Sequence, residues 1–311
     1  MSVSLVFPGQ GSQSVAMMNA FGDNAVIRET FAEASEALGE DLWQMMSEGP
    51  AERLALTVNT QPLMLTAGVA VYRAWLAAGG PEPKVAAGHS LGEYAALVAA
   101  GALRFADAVP LVRFRAQAMQ EAVPAGEGAM AALLGLEVEI VREVCDEASA
   151  GEVVEAANLN APGQIVIAGS KAAVERAIEL AKQRGAKRAM ALPVSAPFHC
   201  ALMQPAAERL AERLAGVEIA QPRFAVLNNV DVAICDAPEA IRDALVRQAY
   251  SPVRWIETVE AIATHGVDHL YECGPGKVLA GMNKRIAKAL QGGAIHDAES
   301  LNQSIQAVRG S

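Results

Sequence analysis

The eight residues Val85-Ala86-Ala87-Gly88-His89-Ser90-Leu91-Gly92 decide the fold. The apolar run at their start predicts a short buried strand, and the residues after them have the apolar spacing of a helix that stops at Gly101. Between strand and helix lies the pattern Gly-x-Ser-x-Gly, in which a nucleophilic serine occupies a tight turn. A turn without chemistry fits the pattern alone, but the position between strand and helix favours a nucleophile. We therefore predict that Ser90 is a nucleophile at the end of a strand.

Two features of this turn favour acyl transfer at Ser90. Gly88 and Gly92 carry no Cβ atoms that would clash in the strained backbone of such a turn. The helix that follows presents the free N–H of Leu91, and the positive end of its dipole, to an oxygen that becomes negative during the reaction. We expect Leu91 to supply half of an oxyanion hole.

A second glycine-containing loop, Gly9-Gln10-Gly11-Ser12-Gln13, follows the first predicted strand. Ser14 stands where a dinucleotide-binding G-x-G-x-x-G loop has its third glycine, so a dinucleotide site is disfavoured. Because the ends of neighbouring parallel strands lie close together, the N–H of Gln10 can supply the second oxyanion donor. A simple turn at the exit of a strand fits the spacing equally well.

Strands alternate with helices in the first and last parts of the chain, which predicts a parallel sheet with right-handed crossovers. The middle of the chain instead follows the order β-α-β-β-α-β, which is ferredoxin-like. We therefore predict an α/β protein with an α/β-hydrolase-like large domain, residues 1–125 and 195–311, and an inserted ferredoxin-like small domain, residues 126–194. From Gln291 the chain is mostly polar, and we expect a loosely held tail without chemistry.

Composition and charge exclude several classes of protein. Of the 311 residues, 52% are hydrophobic, which excludes a disordered chain. Asp and Glu outnumber Lys and Arg by 35 to 25, and the net charge of −10 repels nucleic acid. Four isolated cysteines indicate a reduced compartment, so we expect a cytoplasmic location. No signal peptide or membrane segment is predicted, because the N-terminus lacks Lys and Arg and polar residues interrupt the most apolar region, residues 85–103.

An activated serine needs a base, and we choose His199 among the five histidines. Pro197 fixes the chain just before a predicted helix, which makes a stiff mount for the imidazole. A histidine beside an aromatic residue such as Phe198 is often structural, so this choice depends on the presence of the Ser90 turn.

The sequence does not favour two other kinds of site, a Ser-His-acid triad and a metal site. No acidic residue is well placed to complete a Ser-His-acid triad, and His199 comes early in the chain for an α/β-hydrolase. A backbone carbonyl can hold the imidazole instead, so a Ser-His dyad is reasonable and a serine esterase or thioesterase becomes the alternative function. His265 and His269 have the i, i+4 spacing of a metal site, but a helix stop at Gly266 predicts a solvated turn, and we predict no metal.

A predicted helix after Asp107 carries two arginines, Arg113 and Arg115, beside its apolar face. An arginine in a desolvated cleft can hold a substrate carboxylate through two hydrogen bonds. The spacing does not choose between the two residues, and a surface position is the more common outcome for either of them.

Four separated motifs occur in one order along nearly the whole chain: Gly9-Gln10-Gly11-Ser12-Gln13, Gly88-His89-Ser90-Leu91-Gly92-Glu93-Tyr94, Pro197-Phe198-His199 and Glu272-Cys273-Gly274-Pro275-Gly276-Lys277. Together they resemble the malonyl-CoA:acyl carrier protein transacylases. The resemblance implies that Ser90 takes a malonyl group from coenzyme A, that His199 accepts the serine proton, and that the N–H groups of Gln10 and Leu91 hold the oxyanion. The phosphopantetheine thiol of acyl carrier protein then removes the malonyl group, so the kinetics are expected to be ping-pong. No cofactor is implied, because the coenzyme A thioester is a substrate.

The resemblance also implies roles for three further residues. The segment Phe114-Arg115-Ala116-Gln117-Ala118-Met119-Gln120 assigns the malonyl carboxylate to Arg115 rather than Arg113. Gln248 lies in a segment similar to the one whose glutamine orients the histidine through its main-chain carbonyl. Phe198 is similar to the residue of malonyl-selective members whose ring disfavours an α-methyl branch. We expect malonyl to be transferred best, methylmalonyl weakly and acetyl least.

The implied partner, acyl carrier protein, is acidic, so a chain with a net charge of −10 needs a local basic patch to dock it. Two candidate patches are present, namely Lys182, Arg184, Lys187 and Arg188 in the predicted small domain, and Lys284, Arg285 and Lys288 in the last predicted helix. The sequence does not choose between them. The absence of fused domains favours fatty acid synthesis over polyketide synthesis, and a non-catalytic protein that binds acyl groups or carriers is a further alternative.

Overall fold

The computed structural model describes residues 2–194 and 196–310, so residues 1, 195 and 311, at the limits of the predicted domains, lie outside the described residues. It is a mixed α/β structure with one parallel and one antiparallel sheet, which confirms the predicted class. The strands are β1 (Val3–Phe7), β2 (Val85–Gly88), β3 (Gly128–Leu134), β4 (Val154–Ala161), β5 (Gln164–Ser170), β6 (Arg188–Ala191), β7 (Ala225–Leu227), β8 (His269–Cys273) and β9 (Gln291–Ile295). The α-helices are α1 (Ala25–Leu38), α2 (Leu42–Glu48), α3 (Ala51–Ala55), α4 (Thr57–Ala77), α5 (Gly92–Ala99), α6 (Phe105–Glu121), α7 (Val138–Ser149), α8 (Lys171–Gln183), α9 (Gln204–Ala215), α10 (Pro238–Gln248), α11 (Trp255–Thr264), α12 (Val278–Ile286) and α13 (Ala298–Arg309).

The parallel sheet has the strand order β7-β2-β1-β8-β9. β1 and β2 lie side by side, with Phe7 opposite Gly88 at their carboxyl ends. Both strands are buried along their whole length, which explains why their residues are almost all apolar; the exception, Ser4 in β1, donates a hydrogen bond from its hydroxyl to the Val85 carbonyl. Because the strands run parallel, the loops that follow Phe7 and Gly88 leave the sheet at the same edge.

The antiparallel sheet has the strand order β4-β5-β3-β6 and comes from the middle of the chain. Its elements follow one another as β3-α7-β4-β5-α8-β6, the order predicted from the sequence. Apolar side chains of α7 and α8, such as Val144 and Val174, pack with the strands in a separate hydrophobic core. Main-chain hydrogen bonds join β4 to the rest of the chain: the N–H of Leu159 donates to the Val253 carbonyl at 2.9 Å, and the N–H of Val253 donates to the Ala157 carbonyl at 2.8 Å.

The long helix α4 is buried along most of its length because it lies in the main hydrophobic core. Near its start it carries two buried polar side chains, Thr57 and Gln61, which hydrogen bond to Gln10 and Arg115, respectively. No helix in the described part of the chain, α4 included, has both the length and the apolar character needed to cross a membrane.

Some predicted boundaries are wrong by a few residues. The helix predicted just after Pro197 is preceded by a 3₁₀ turn at Ala201–Met203, and α9 starts only at Gln204, where Pro205 suits the first turn of an α-helix. The last strand of the predicted β-α-β-β-α-β unit does not extend to the predicted domain limit at residue 194, because the pairing of β6 with β3 ends at Ala191.

The prediction of a loosely held C-terminal tail is wrong. Gln291–Ile295 form β9 at the edge of the parallel sheet, where a Cβ on Gly292 would lie 2.0 Å from the Leu270 carbonyl oxygen. The Asp297 side chain caps α13 by accepting a hydrogen bond from the Ser300 N–H. Residues 301, 305 and 308 of α13 are buried in the main core. These few apolar residues, at helical spacing, suffice to dock a helix in a polar stretch.

We expect Ile305→Ala to destabilise the protein by about 2–4 kcal/mol, because truncation of a buried isoleucine loses apolar contact and leaves a cavity. Ile305 is 5% exposed and belongs to the main core. Urea denaturation measures the free energy of unfolding. Asn302→Ala, at an exposed position of the same helix, is the control and should change that free energy by less than about 0.5 kcal/mol. Equal stability of the two variants would contradict the docking of α13.

Candidate active site

Ser90 occupies a strained turn between β2 and α5. Its backbone φ of +52° is one that residues with a side chain seldom adopt. A Cβ on Gly88 would lie 1.8 Å from the backbone carbon of Gly92, and a Cβ on Gly92 would lie 2.0 Å from the Phe7 carbonyl oxygen. Both positions therefore require glycine, and the close approach brings the end of β1 against the serine turn.

Ser90 lies beside His199, with 2.7 Å between the serine Oγ and the imidazole Nε2. The other ring nitrogen, Nδ1, lies 3.0 Å from the main-chain carbonyl oxygen of Gln248 at the end of α10. Because a carbonyl only accepts hydrogen bonds, the neutral imidazole carries its proton on Nδ1, and Nε2 is free to accept the Ser90 hydroxyl. The structure thus brings together the three residues that the sequence placed far apart.

The His199 imidazole is neutral at physiological pH. Burial, together with the nearby positive charge of Arg115, lowers its pKa to about 3, and the hydrogen bond to Gln248 opposes this shift. A neutral imidazole with an unprotonated Nε2 can take a proton from a hydroxyl, which is what general-base activation of a serine requires.

Arg115 is buried next to the serine and is 1% exposed. Its Nη2 donates to Ser90 Oγ at 3.2 Å and to Gln248 Oε1 at 2.9 Å, and its Nη1 donates to Gln61 Oε1 at 2.8 Å. All these acceptors are uncharged, and no ion pair of Arg115 occurs within the described residues. Burial lowers the pKa of the guanidinium, as expected for a desolvated cation. The site can therefore accept an anionic group of a ligand.

Arg113, the other arginine considered from the sequence, points elsewhere. Its guanidinium binds the Glu40 carboxylate with two hydrogen bonds, of 3.0 and 3.1 Å. The same paired arginine holds the pKa of Glu40 below its usual range. Arg113 is thus already neutralised by a protein carboxylate, and only Arg115 lies at the serine.

The two expected oxyanion donors lie at the same cavity as Ser90. Within residues 2–194 and 196–310, the backbone N–H groups of Gln10 and Leu91 donate no hydrogen bond to the protein. The N–H of Ser90 itself is engaged, because it donates to Asn229 Oδ1 at 2.8 Å. The Gln10 side chain is held by Thr57, whose hydroxyl donates to Gln10 Oε1 at 2.9 Å.

The cavity has a volume of about 440 Å³ and lies between the parallel sheet and the antiparallel sheet. Apolar side chains form much of its wall. They come from residues 119–130 (Met119 and Met130), residues 192–198 (Leu192, Val194 and Phe198) and residues 278–282 (Val278, Leu279 and Met282). Phe198 is 8% exposed. The cavity therefore combines an apolar channel with the polar groups of Ser90, His199 and Arg115.

Two further expectations concern metals and histidines. In the described ranges, no group of three or more His, Cys, Asp and Glu side chains is arranged to hold a metal ion. His265 ends α11, as the helix stop at Gly266 predicts. The prediction of a solvated turn is wrong for His269, which is buried in β8.

Sequence reasoning missed two buried residues behind the serine, Glu93 and Asn229. Glu93 Oε2 accepts hydrogen bonds from the Asn229 N–H at 2.9 Å and from Gln248 Nε2 at 2.8 Å. Burial raises the pKa of Glu93 to about 7, although these hydrogen bonds oppose the rise. The sequence did contain a signal for Glu93, because it is a charged residue in an otherwise apolar helix. Asn229 follows the end of β7, and only its contacts with distant residues show its importance.

A family model described as an acyl transferase domain matches residues 4–297, nearly the whole chain. The chain is also 54% identical over 304 residues to the malonyl CoA-acyl carrier protein transacylase of Escherichia coli strain K12, with 97% of this chain and 98% of that protein covered. The chain thus belongs to the acyl transferase family, and within it to the malonyl CoA-acyl carrier protein transacylases.

Solved structures give the same result. The crystal structure of an acyl-carrier-protein S-malonyltransferase from Burkholderia pseudomallei 1710b superposes with a TM-score of 0.97 at 61% identity, covering 98% of this chain and all of that chain. A malonyl-transacylase in complex with its type II polyketide synthase acyl-carrier protein superposes with a TM-score of 0.97 at 51% identity, covering 99% of this chain and 100% of that chain.

Proposed function

We propose that this protein transfers the malonyl group of malonyl-CoA to the phosphopantetheine thiol of acyl carrier protein through a malonyl-Ser90 intermediate. The observation that carries the proposal is the position of Arg115, a buried cation with uncharged partners that contacts the Ser90 hydroxyl. A serine next to such a cation suits an acyl group that ends in a carboxylate. The relatives that carry this activity in their names span the full length of the chain.

In the first half-reaction, His199 Nε2 takes the hydroxyl proton as Ser90 Oγ attacks the thioester carbonyl of malonyl-CoA. The tetrahedral intermediate collapses, the carbon–sulfur bond breaks, and the coenzyme A sulfur receives the proton from His199. In the second half-reaction, the carrier thiol gives its proton to His199 and attacks the malonyl-Ser90 ester, and the serine regains its proton. One thioester replaces another, so the exchange needs no energy source, and it proceeds by ping-pong kinetics.

The backbone N–H groups of Gln10 and Leu91 stabilise the oxyanion in both half-reactions. Neither group has an acceptor among the described residues, and both residues line the cavity beside Ser90. Donors that are fixed in place before the reaction stabilise developing charge without reorganisation. The Ser90 N–H does not take part, because Asn229 already accepts its hydrogen bond.

Arg115 binds the malonyl carboxylate, and Gln248 orients His199 through its main-chain carbonyl. Phe198 lines the cavity next to His199 and crowds an α-methyl branch. A single methyl contact discriminates by only about 1–3 kcal/mol. Acetyl groups leave the buried guanidinium without an anionic partner, so they should be rejected more strongly than methylmalonyl groups.

We infer that the chain forms two domains. The larger part, residues 1–125 and 195–311, is an α/β-hydrolase-like domain, and its support is the Gly-x-Ser-x-Gly turn at the carboxyl end of a parallel strand. The part at 126–194 is an inserted ferredoxin-like domain, supported by its β-α-β-β-α-β order and separate core. A cytoplasmic location, a role in fatty acid synthesis and independence of any cofactor stay predictions.

Of the two basic patches, we propose that the patch on α12, formed by Lys284 and Arg285 of that helix and by Lys288 in the turn after it, docks the acidic carrier. In the other patch, Lys182 forms an ion pair with Glu179, and Arg184 pairs with both Glu143 and Glu147. The exposed Lys284 and Lys288 form no ion pair within the described residues, and the same holds for Lys187 and Arg188 of the other patch, so the choice depends on position. The patch on α12 also adjoins Met282, which lines the cavity.

We expect one malonyl adduct per protein after brief mixing with malonyl-CoA, and none with Ser90→Ala. Intact-mass spectrometry measures the adduct. Ser12→Ala, which changes another serine of the cavity wall, is the matched control and should load normally. Addition of phosphopantetheinylated acyl carrier protein should then remove the adduct and load the carrier. Release of free malonate with an unloaded carrier would indicate the alternative, a thioesterase, and failure of the unaltered protein to form any adduct would indicate a binding protein.

Arg115→Ala should lower kcat/KM for malonyl-CoA, because the substrate carboxylate loses its partner. We expect the free energy of the transition state to rise by about 2–5 kcal/mol. Transfer from acetyl-CoA should fall much less, so the preference for malonyl should shrink. Steady-state kinetics with both thioesters measure the change. Arg113→Ala, on the same helix, removes a guanidinium bound to Glu40 and should leave the preference unchanged. An equal loss of preference in both variants would rule out the assignment.

The double variant Lys284→Glu, Lys288→Glu should raise KM for acyl carrier protein about tenfold at low salt, and less at high salt, because charge steers docking. The rate of Ser90 malonylation by malonyl-CoA should not change. The matched control is Lys182→Glu, Arg184→Glu, which alters the ion-paired patch. If the control raises KM for the carrier as much or more, the docking surface is not on α12.

A further inference from the structure

Two buried polar residues behind the serine turn take no part in the steps above. Asn229 follows β7, and Glu93 lies in the first turn of α5. They are 0% and 2% exposed, and neither lines the cavity. Neither residue can therefore touch a substrate, and their contacts are with the backbone and side chains that hold the reacting groups.

Asn229 bridges both sides of the serine turn. Its Oδ1 accepts the N–H of Ser90 at 2.8 Å, and its Nδ2 donates to the Gly88 carbonyl at 2.7 Å. Since Ser90 has a φ of +52°, the turn persists only where surrounding contacts determine it. The Asn229 side chain thus makes one hydrogen bond to Gly88, two residues before the strained serine, and one to Ser90 itself. Because the Ser90 N–H is engaged, the next N–H, that of Leu91, is the one left for the oxyanion.

Glu93 fixes the direction of two neighbours through one oxygen. Its Oε2 accepts the Asn229 N–H at 2.9 Å and Gln248 Nε2 at 2.8 Å. Gln248 Nε2 also donates to the Ser90 carbonyl at 3.0 Å, so its Oε1 is directed to Arg115, which donates to it at 2.9 Å. The same carboxylate thus orders the residue that holds the serine turn and the residue that holds Arg115.

We propose that Asn229 and Glu93 are positioning residues, which keep the Ser90 hydroxyl and the Leu91 N–H in their reactive arrangement. Their role in malonyl transfer rests on the proposed function, whereas their role in the reactivity of Ser90 does not. A purely structural role predicts that truncation lowers stability but leaves the reactivity of each folded molecule unchanged. Positioning predicts that reactivity falls with the contacts.

The first test compares Asn229→Ala with Asn228→Ala. Both variants truncate a buried asparagine of the same loop, but within the described residues the Asn228 side chain hydrogen bonds only to Asp231 and Cys235. The probe is a small neutral fluorophosphonate, which labels an activated serine without needing Arg115 or the carrier. We expect labelling of Ser90 to slow about 100-fold in Asn229→Ala, since a displacement of about 1 Å has such an effect. Asn228→Ala should label within about twofold of the unaltered protein.

The second test uses two changes at Glu93. The amide oxygen of Glu93→Gln can accept both hydrogen bonds, so we expect its labelling rate to stay within about fivefold of the unaltered protein. Glu93→Ala loses both and should slow labelling about as much as Asn229→Ala. Thermal denaturation of each variant establishes that the labelled protein is folded at the assay temperature. A labelling rate in Glu93→Gln close to that of the unaltered protein would show that position 93 needs a hydrogen-bond acceptor but not a negative charge.

The outcomes separate this inference from the proposed function. If Asn229→Ala labels as fast as Asn228→Ala, or if Glu93→Gln is as slow as Glu93→Ala, the positioning assignment is overturned. If the unaltered protein reacts with the fluorophosphonate but forms no adduct with malonyl-CoA, the proposed function fails, and the ratio of labelling rates still decides the role of Asn229 and Glu93. Slow malonylation in the same variants, in the same order, supports both.

Discussion

The site depends on the close approach of the serine turn to the end of the neighbouring strand. Gly92 packs so tightly on the Phe7 carbonyl that no Cβ fits between them, and Gly88 packs in the same way on the backbone of Gly92. This contact places the loop that contains Gln10 beside Ser90, because both loops leave the sheet at one edge. The proposed nucleophile and both proposed oxyanion donors therefore belong to one closely packed junction of two adjacent strands.

The second organising constraint is the burial of charge. Arg115 and Glu93 are both desolvated, and the amide of Gln248 lies between them with its oxygen toward the cation and its nitrogen toward the carboxylate. The orientation of this amide follows from its two partners, because the guanidinium of Arg115 only donates hydrogen bonds and Glu93 Oε2 accepts one from the amide nitrogen. Among the described residues Arg115 has only uncharged acceptors, so this buried cation can pair with an anionic group of a ligand. The selectivity for malonyl groups that we propose rests on this unpaired cation.

Much of this arrangement could be read from the sequence, because parts of it are local. The glycines around Ser90 and the strand before it are adjacent in the chain, and the short apolar runs correctly indicated the parallel sheet. Arg115 could not be distinguished from Arg113 by spacing, since the difference is the distant Glu40 that binds Arg113. Asn229 was missed because its importance comes from contacts more than 130 residues away. The C-terminal helix was missed because three apolar residues in a polar stretch gain their effect only from the core that receives them.

The carbonyl that holds His199 has a consequence for the kinds of bond this site can exchange. A main-chain carbonyl is a dipole, and it stabilises a protonated His199 less than the carboxylate of a triad would. A thiolate, with a pKa of about 8.5 for an ordinary thiol, departs with little help from an acid, whereas an amine must be protonated before it leaves. The geometry therefore suits the release of a thiol from a thioester and is poorly suited to the cleavage of amides. A protein that exchanges acyl groups among thiols in the presence of many peptide bonds is thereby kept from cleaving them.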